Sequence, residues 1–554
     1  MTRTVSPTTR RPECPGRPGR RPARATALAA LALLAAAGCT DVTTEPRSAI
    51  SSANVFNDAT AYRSAVAKLY GTLALSGPGD TDGDIQGIDP GFGQYLRAYW
   101  NLQELPTDEA TLAWNDQSAG VQDLNSQTWT PANGTITAMY ARIALQTVLA
   151  ANFLRETTDE RLTARGVPQA ERAEIARYRA EARFLRALSY WHAIDLFGSV
   201  PFVTEESPIG GSAPPQASRQ RLYEYAVAEL TAIRDQLPAG NPADATQYGR
   251  ATQGAVDMLL AKLYLNAPVY TGTARHAEAL QAAQRVIQGS YRLDDRYLDL
   301  FLADNHTSPE IVFAIPQDGA RTRTFGGMTF IIHAAFGPDV GGVEAGRDLG
   351  INGGWYGIRA RRNFADLFTG LTGDVRGSIR TGPQAIVFAT GQTPDLTTQV
   401  DNFGQGFRIN KFRNVTSTGA PGKDNNFVDT DFPVFRLADA YLMYAEAALR
   451  GGGGSPATAL QYVNALRTRA GAPTITQSEL TVDFLLDERA RELFWEAHRR
   501  TDLIRYGRFT GGTKLWQFKG GVQGGRATEA FRNLYPIPAA ELAAGPGLVQ
   551  NTGY

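Results

Sequence analysis

The chain is 554 residues long and carries 55 Lys and Arg against 55 Asp and Glu, a formal charge of zero at pH 7. That balance offers no basic face for nucleic acid, and a chain of this length can bury a sizeable apolar core. Only two cysteines occur, Cys14 and Cys39, so the fold is not a disulfide scaffold.

The first 39 residues read as an export signal. Residues 1–24 are polar and hold seven arginines, and Ala25 to Ala37 is an uncharged run of 13 residues. Such a run suits the apolar core of a secretory signal and falls short of the roughly 20 residues that a membrane-spanning helix needs. It ends in Ala36-Ala37-Gly38-Cys39, where small residues fit the narrow cleft of a signal peptidase. The Cys directly after them makes the segment resemble a bacterial lipobox, although that class prefers Leu where Ala36 stands. Residues 1–38 are then a lipoprotein signal peptide, and Cys39 is the lipidation site, carrying palmitate or a similar chain. Two or more acyl chains anchor a protein stably, whereas one does so only marginally. The plainer alternative is a secretory signal that happens to contain a cysteine. Arg10-Arg11 and Arg20-Arg21 lack the hydrophobic pair of a twin-arginine signal. Without the seven Arg and Glu13 of the signal, 48 basic and 54 acidic residues remain, a balance of −6. No second apolar run reaches membrane-spanning length.

Thr40 to Pro46 reads as a tether. Helical periodicity begins near Asn54, with Val55, Ala59, Tyr62, Val66, Leu69, Tyr70 and Leu73 on one side. Residues 76–94 are a Gly- and Asp-rich loop. Helices are expected over 135–156, over 169–197 with Gly198 and Pro201 as stops, over 219–237, and over 252–266 and 275–289. Residues 304–430 lose helical periodicity and carry short β-like runs such as IVFAI at 311–315. Helices return at 436–450, 456–470 and 481–506. In 255–289 and 438–469, small Ala residues stand where neighbouring helices touch, with large residues one turn away. That is the logic of a tetratricopeptide hairpin, although plain antiparallel helices bury the same faces. The expected fold is mainly α, with tetratricopeptide-like helix pairs and long irregular loops with short strands. Within 481–506, Glu488 faces Arg491, Glu496 faces Arg499 and Arg500, and Asp502 faces Arg505, at helical i+3 and i+4 spacing. These read as exposed pairs that clamp a helix, each contributing about 0.3–0.5 kcal/mol, rather than as an acid–base site.

Motifs that carry chemistry are absent. His192, His276, His306, His333 and His498 form neither HxxxH nor HxH, so no zinc site is written locally. There is no GxSxG, no GxxxxGK[ST] and no GxGxxG. The run Asp80-Thr81-Asp82-Gly83-Asp84 resembles the start of a calcium loop. That pattern wants Gly at position 85 and an acid at position 91, where Ile85 and Gly91 stand, so it reads as a solvated turn. No catalysis, cofactor or metal is expected.

A set of segments in fixed order resembles the SusD/RagB family of outer-membrane nutrient-uptake lipoproteins. They are Cys39-Thr-Asp-Val with Pro46, Leu105 to Glu109 (LPTDE), Glu181 to Tyr190 (EARFLRALSY) and Leu196 to Pro201 (LFGSVP). They continue with Asn352-Gly-Gly-Trp355, Phe435 to Glu446 (FRLADAYLMYAE), Glu488 to Leu493, Arg500 to Arg505, Tyr535-Pro-Ile-Pro538 and Gln550 to Tyr554. The resemblance covers nearly the whole chain after Cys39. It divides that chain into a SusD-like N-terminal region, 39–250, and a RagB/SusD C-terminal region, 251–554. It implies a helical body decorated by irregular loops. It also implies a lipid-anchored, surface-exposed protein of the cell outer membrane. Such a protein captures glycan or oligopeptide and delivers it to a SusC-like TonB-dependent transporter, without catalysis. A secreted glycan-degrading enzyme and a tetratricopeptide scaffold for other proteins remain the alternatives.

A sugar offers flat C–H faces and rings of hydroxyls, so its binder needs exposed aromatics with Asn, Asp, Gln or Arg beside them. The aromatics in non-periodic contexts are Tyr95, Tyr99, Trp100, Trp114, Trp129, Phe325, Trp355 and Tyr356. Their polar neighbours include Asn101, Asp108, Asn115, Asp116 and Asn352. The candidate ligand-binding set is Tyr95, Tyr99, Trp100, Asn101, Asp108, Trp114, Asn115, Trp355 and Tyr356. Tyr190, Trp191, Tyr441, Tyr444 and Trp495 fall at core spacing on helices.

Overall fold

The computed structural model describes residues 56, 58–79, 82–210, 214–337, 344–377, 393–400 and 403–554. The signal peptide, Cys39 and the tether lie outside the described residues, as do Asp80 and Thr81 of the acidic turn.

Side-chain caps set where the helices begin. Helix α1, Ala59–Ala74, starts later than the periodicity suggests because the Asp58 carboxylate accepts the Ala61 amide at 2.8 Å. Helix α2, Tyr95–Glu104, lies where the sequence suggested loop. The Gln94 side chain caps it by accepting the Arg97 amide at 2.8 Å, and all of its residues are buried. Arg97, Asn101 and Glu104 form a polar stripe at i, i+4 and i+7, but that stripe is buried along with the apolar one. Then follow α3, Gly134–Glu156, α4, Gln169–Leu196, and α5, Arg219–Ile233. After them come α6, Gln253–Leu265, and α7, His276–Ile287. Helix α8, Gly327–Ala335, falls within the irregular region. Helices α9, Leu437–Leu449, and α10, Pro456–Arg469, close the second predicted pair, with Pro456 at the first turn of α10 and Ser455 capping it.

Helix α3 lies against α4, and α4 against α5. Helix α6 packs on α7, α7 on α9, and α9 on α10. The second helix of one tetratricopeptide-like pair therefore meets the first helix of the next, which is how a repeat stack buries a continuous core. Ala279, Ala282 and Ala283 of α7 and Ala445 and Ala447 of α9 are fully buried there. No helix among the described residues is long and apolar enough to cross a membrane.

The strands form antiparallel two-stranded ribbons. Strand β1, Thr111–Leu112, pairs with β5, Ile358–Arg359; β2, Val200–Pro201, pairs with β3, Gln216–Ala217; β4, Ile311–Ile315, pairs with β6, Phe432–Arg436. The IVFAI run is thus a strand, buried throughout, whose register sets Ile311 opposite Arg436 at the entry to α9.

The stretch 481–506 is not one helix. It divides into α11, Val482–Leu493, and α12, Arg499–Arg505. Between them Trp495 and Ala497 hold φ of 61° and 63°, a left-handed conformation that costs a non-glycine residue roughly 1–2 kcal/mol. Contacts from α2 and its exit offset that cost. The Ala497 amide donates to Glu104 Oε1 at 2.7 Å, and Trp100 Nε1 donates to the Trp495 carbonyl at 3.0 Å. Two of the spaced ion pairs form, Glu488 with Arg491 at 2.8 Å and Asp502 with Arg505 at 2.7 Å, but all four side chains are buried rather than exposed. The break redirects the others. Glu496 meets Lys411 and Arg436, both at 2.6 Å, while Arg499 meets Asp108 at 2.7 Å and Arg500 meets Asp195 at 3.1 Å. Glu492 sits among Arg376, Arg436 and Arg469. Burial opposes its charge, but the three guanidinium groups win and hold its carboxyl far below the usual range.

Candidate functional site

Trp114, Trp355 and Tyr356 are brought to one place by the β1–β5 ribbon and the end of α8. The Ala113 amide donates to the Gly357 carbonyl at 2.9 Å, which sets Trp114 beside the turn holding Trp355 and Tyr356. That turn is stitched to α8. The Trp355 amide donates to the His333 carbonyl at 2.7 Å, the Tyr356 amide to Phe336 at 2.9 Å, and the Gly357 amide to Ala334 at 2.9 Å. Trp114 Nε1 donates to the Trp355 carbonyl at 2.9 Å. His333 stacks on Trp355 at 4.8 Å between centroids, with planes 22° apart. Its Nδ1 donates to the Gly353 carbonyl at 2.7 Å. Burial lowers the His333 pKa, so the ring stays neutral behind the indole.

Phe325 extends the arc, 6.3 Å from Trp355 and 5.3 Å from Phe427. Trp114 and Trp355 are half-buried, whereas Phe325 is 37% and Tyr356 48% exposed. Large exposed aromatics grouped this way mark a contact surface. Tyr356 also holds φ at 58° and meets Phe403 edge-on at 5.6 Å. Asn115 and Asn352 are exposed beside Trp114 and Trp355.

A cavity of about 510 Å³ adjoins Phe325 and is lined by Asp89, Phe92, Arg97, Asp116 and Ser118. The Arg97 guanidinium lies 4.0 Å from the Phe330 ring centroid and 6.0 Å from that of Trp114. One of its amino groups donates to the Phe325 carbonyl at 3.2 Å, while its Nε has no hydrogen-bond partner. Burial brings the Arg97 pKa down to about 10, against the pull of Asp89 and Asp116. The guanidinium stays charged at neutral pH and is braced between aromatic faces. The set therefore offers stacking faces, a cationic donor and carboxylate acceptors side by side.

The remaining candidates lie elsewhere. Tyr95, Tyr99, Trp100 and Asn101 belong to α2 and are at most 6% exposed. The Tyr95 hydroxyl is 2.8 Å from His192 Nδ1, Tyr99 stacks on His192 at 4.0 Å, and Trp100 meets Trp495 edge-on at 5.6 Å. Asp108 is fully buried and bound to Arg499 at 2.7 Å and Lys514 at 3.2 Å. Burial disfavours its charge, but these two cations hold its carboxyl well below the usual range. These five side chains leave no face for a ligand, because α2 is a core helix and Asp108 is buried in the turn after it. Trp129 is also buried, its Nε1 donating to the Tyr554 hydroxyl at 2.6 Å. Arg97, Asp89, Ser118 and His333 are site residues that sequence reasoning missed. Arg97 opens the polar stripe of α2, and its i, i+4, i+7 spacing with Asn101 and Glu104 was the local signal that could have found it. No group of three or more His, Cys, Asp or Glu among the described residues could hold a metal ion.

A model of the SusD family matches residues 382–554. The starch-binding protein SusD of Bacteroides thetaiotaomicron is 34% identical over 529 residues, covering 88% of this chain and 91% of that one. The chain belongs to the SusD family. Solved structures agree on the SusD fold. A laminarin-binding SusD-like protein superposes with a TM-score of 0.67 at 23% identity, covering 89% of this chain and 99% of that one. Surface glycan-binding protein A from Bacteroides thetaiotaomicron, in complex with laminarihexaose, gives 0.66 at 20% identity, covering 88% and 98%.

Proposed function

We propose that this SusD-family chain captures glycans at the outer-membrane surface and passes them to a SusC-like TonB-dependent transporter, without turning them over. The observation that carries the reading is the arc of half-buried Trp114 and Trp355 with exposed Phe325 and Tyr356 beside the Arg97 cavity. Rigid aromatic faces cover the apolar side of a sugar ring, and the flanking charges take its hydroxyls. Support comes from SusD, named for starch, and from structural relatives named for laminarin and laminarihexaose. Cys39 supplies the anchor in this reading, with the segment after it as tether to the body beside its transporter.

Isothermal titration with maltohexaose and laminarihexaose tests the capture step. Binding of either that drops at least about tenfold in Trp355→Ala or Tyr356→Ala supports the arc, since about 1.4 kcal/mol corresponds to tenfold. Binding unaffected by both variants rejects it. Purification from native membranes tests delivery, which requires a TonB-dependent barrel to come with the chain. Metabolic labelling with a palmitate analogue tests the anchor, which requires label that disappears in Cys39→Ala.

A further inference from the structure

The dipeptide Asn-Gly occurs at two places in the chain, Asn133-Gly134 and Asn352-Gly353. We propose that Asn352-Gly353 is a self-modification site, where Asn352 converts through a cyclic imide to aspartate and isoaspartate, and that the isoaspartyl form slackens the aromatic arc. The second half rests on the arc as the glycan site; the first does not.

The reaction needs only the chain and water. The backbone nitrogen after the Asn gives its proton to hydroxide and attacks the side-chain carbonyl carbon. A C–N bond forms, the bond to the side-chain nitrogen breaks, and that nitrogen takes a proton back from water and leaves as ammonia. Water then opens the five-membered imide. Opening at the side-chain carbonyl leaves aspartate, and opening at the backbone carbonyl leaves isoaspartate. Glycine, with no Cβ, crowds the attacking nitrogen least.

The structure separates the two dipeptides. Asn352 is exposed and Gly353 half-buried. The Gly353 amide has no hydrogen-bond partner among the described residues, and a Cβ built on Gly353 meets nothing within 4 Å, so the space beside the nitrogen is open. The Asn352 side chain is held by Nδ2 to Asn426 Oδ1 at 3.4 Å, longer than a good hydrogen bond. Asn133 is the opposite case. It is 3% exposed and caps α3, its Nδ2 donating to the Gly120 carbonyl at 2.8 Å and its Oδ1 accepting the Ile136 amide at 3.1 Å. Its side-chain carbonyl is fixed on Ile136 and is not free to turn toward Gly134.

Isoaspartate routes the main chain through the side chain, which lengthens it by one C–C bond of about 1.5 Å. Both flanks of that bond are pinned. The Asn352 amide donates to the Asn425 carbonyl at 2.9 Å, and the Gly353 carbonyl accepts His333 Nδ1 at 2.7 Å. A hydrogen bond does not survive a displacement of that size, so one pin gives. Loss at His333 frees the ring stacked behind Trp355 at 4.8 Å. Loss at Asn425 frees the entry to the turn that carries Trp355 and Tyr356. Either way the indole loses a support.

The test ages the full chain in warm, mildly alkaline buffer, folded and in urea. Peptides are mapped by mass spectrometry, with aspartyl and isoaspartyl forms separated by chromatography. In the folded chain Asn352 is expected to convert well ahead of Asn133, and in urea the gap is expected to close. Asn352 that stays intact in the folded chain, or converts no faster than Asn133, overturns the modification. Once Asn352 has converted, the folded wild type is expected to bind glucan about fivefold more weakly, the equivalent of one hydrogen bond. The same treatment is expected to change nothing in Asn352→Gln, whose longer side chain disfavours the five-membered ring. Equal affinity before and after conversion, while Trp355→Ala weakens binding, overturns the link to the arc. If Trp355→Ala binds like the wild type, the arc and the link fall together, and the modification still stands or falls on the peptide map.

Discussion

Gly357→Ala tests whether the arc depends on close approach of backbone and indole. A Cβ at this position would lie 2.8 Å from Trp114 Cε2 and Cζ2 and 2.8 Å from Leu112 Cδ1. Carbon atoms rest about 3.5–4.0 Å apart, so something must retreat by about 0.7–1.2 Å. Leu112 is fully buried in the β1–β5 ribbon and has nowhere to go. Trp114 is half-buried and moves instead, and a shift of that size lengthens its 2.9 Å bond to the Trp355 carbonyl beyond useful range. Overpacking of this kind costs about 1–3 kcal/mol of stability. Loss of one stacking face removes about 0.5–1.5 kcal/mol of affinity, roughly twofold to tenfold in Kd. The assay is a double-mutant cycle with Trp114→Ala, read by titration calorimetry with the bound glucan and by urea unfolding. Trp114→Ala removes one of the two clash partners and leaves Leu112, so the double variant should bind like Trp114→Ala alone and be less destabilised than the sum of the single variants, without recovering fully. Additive losses, or wild-type affinity in Gly357→Ala, would refute the reasoning.

Three further predictions rest on the same coordinates. Burial raises the Glu104 pKa from 4.5 to about 7, so its contribution to stability is complete below the unfolded value and is lost as pH rises through about 7. Thermal melts should show Glu104→Gln gaining on the wild type between pH 5 and pH 8, by at most about 3 kcal/mol; an advantage that shrinks over that interval contradicts the shift. Glu492→Ala leaves Arg376, Arg436 and Arg469 short of their shared carboxylate, and urea unfolding should register a loss of about 3–5 kcal/mol. Tyr356→Gly relieves the positive φ, worth roughly 1–2 kcal/mol, and should hold or raise the melting temperature while weakening glucan binding.

The tetratricopeptide-like pairs were legible because small and large residues alternate at helical spacing, with α7 and α10 keeping a solvent face while α6 and α9 are buried almost throughout. The Ala positions of α7 and α9 announced the contact that the structure makes. The single helix expected over 481–506 broke for a reason outside its own sequence. Phe494 to His498 has no Gly or Pro, and the left-handed residues there are held by Glu104 and Trp100, almost 400 positions earlier in the chain. The pairs expected of Glu496 failed similarly, whereas Glu488–Arg491 and Asp502–Arg505 formed. Helical spacing named Arg499 and Arg500 as partners of Glu496, but once the helix breaks that spacing no longer applies. The burial that makes these pairs structural is invisible in a charged stretch.

Trp100 shows why the candidate site was only half legible, and how its buried half still matters to binding. Sequence context placed it with Trp114 as an aromatic near polar residues, yet α2 turns it into the core. There it meets Phe330 of α8 edge-on at 6.0 Å, and Phe330 in turn meets Trp114 at 6.0 Å. Phe330 also carries the Arg97 guanidinium at 4.0 Å. Trp100 therefore lies one layer beneath the arc and sets the height of the ring on which both Arg97 and Trp114 rest. Trp100→Ala should cost about 3–5 kcal/mol of stability, as large aromatic truncations in cores do. It should also weaken glucan binding, by letting Phe330 sink and Trp114 follow. Trp100→Phe, which keeps the edge contact but drops the hydrogen bond to the Trp495 carbonyl, separates the two effects. Affinity should recover while part of the stability loss remains. If Trp100→Phe regains stability and not affinity, Phe330 is not the link between the core and the arc.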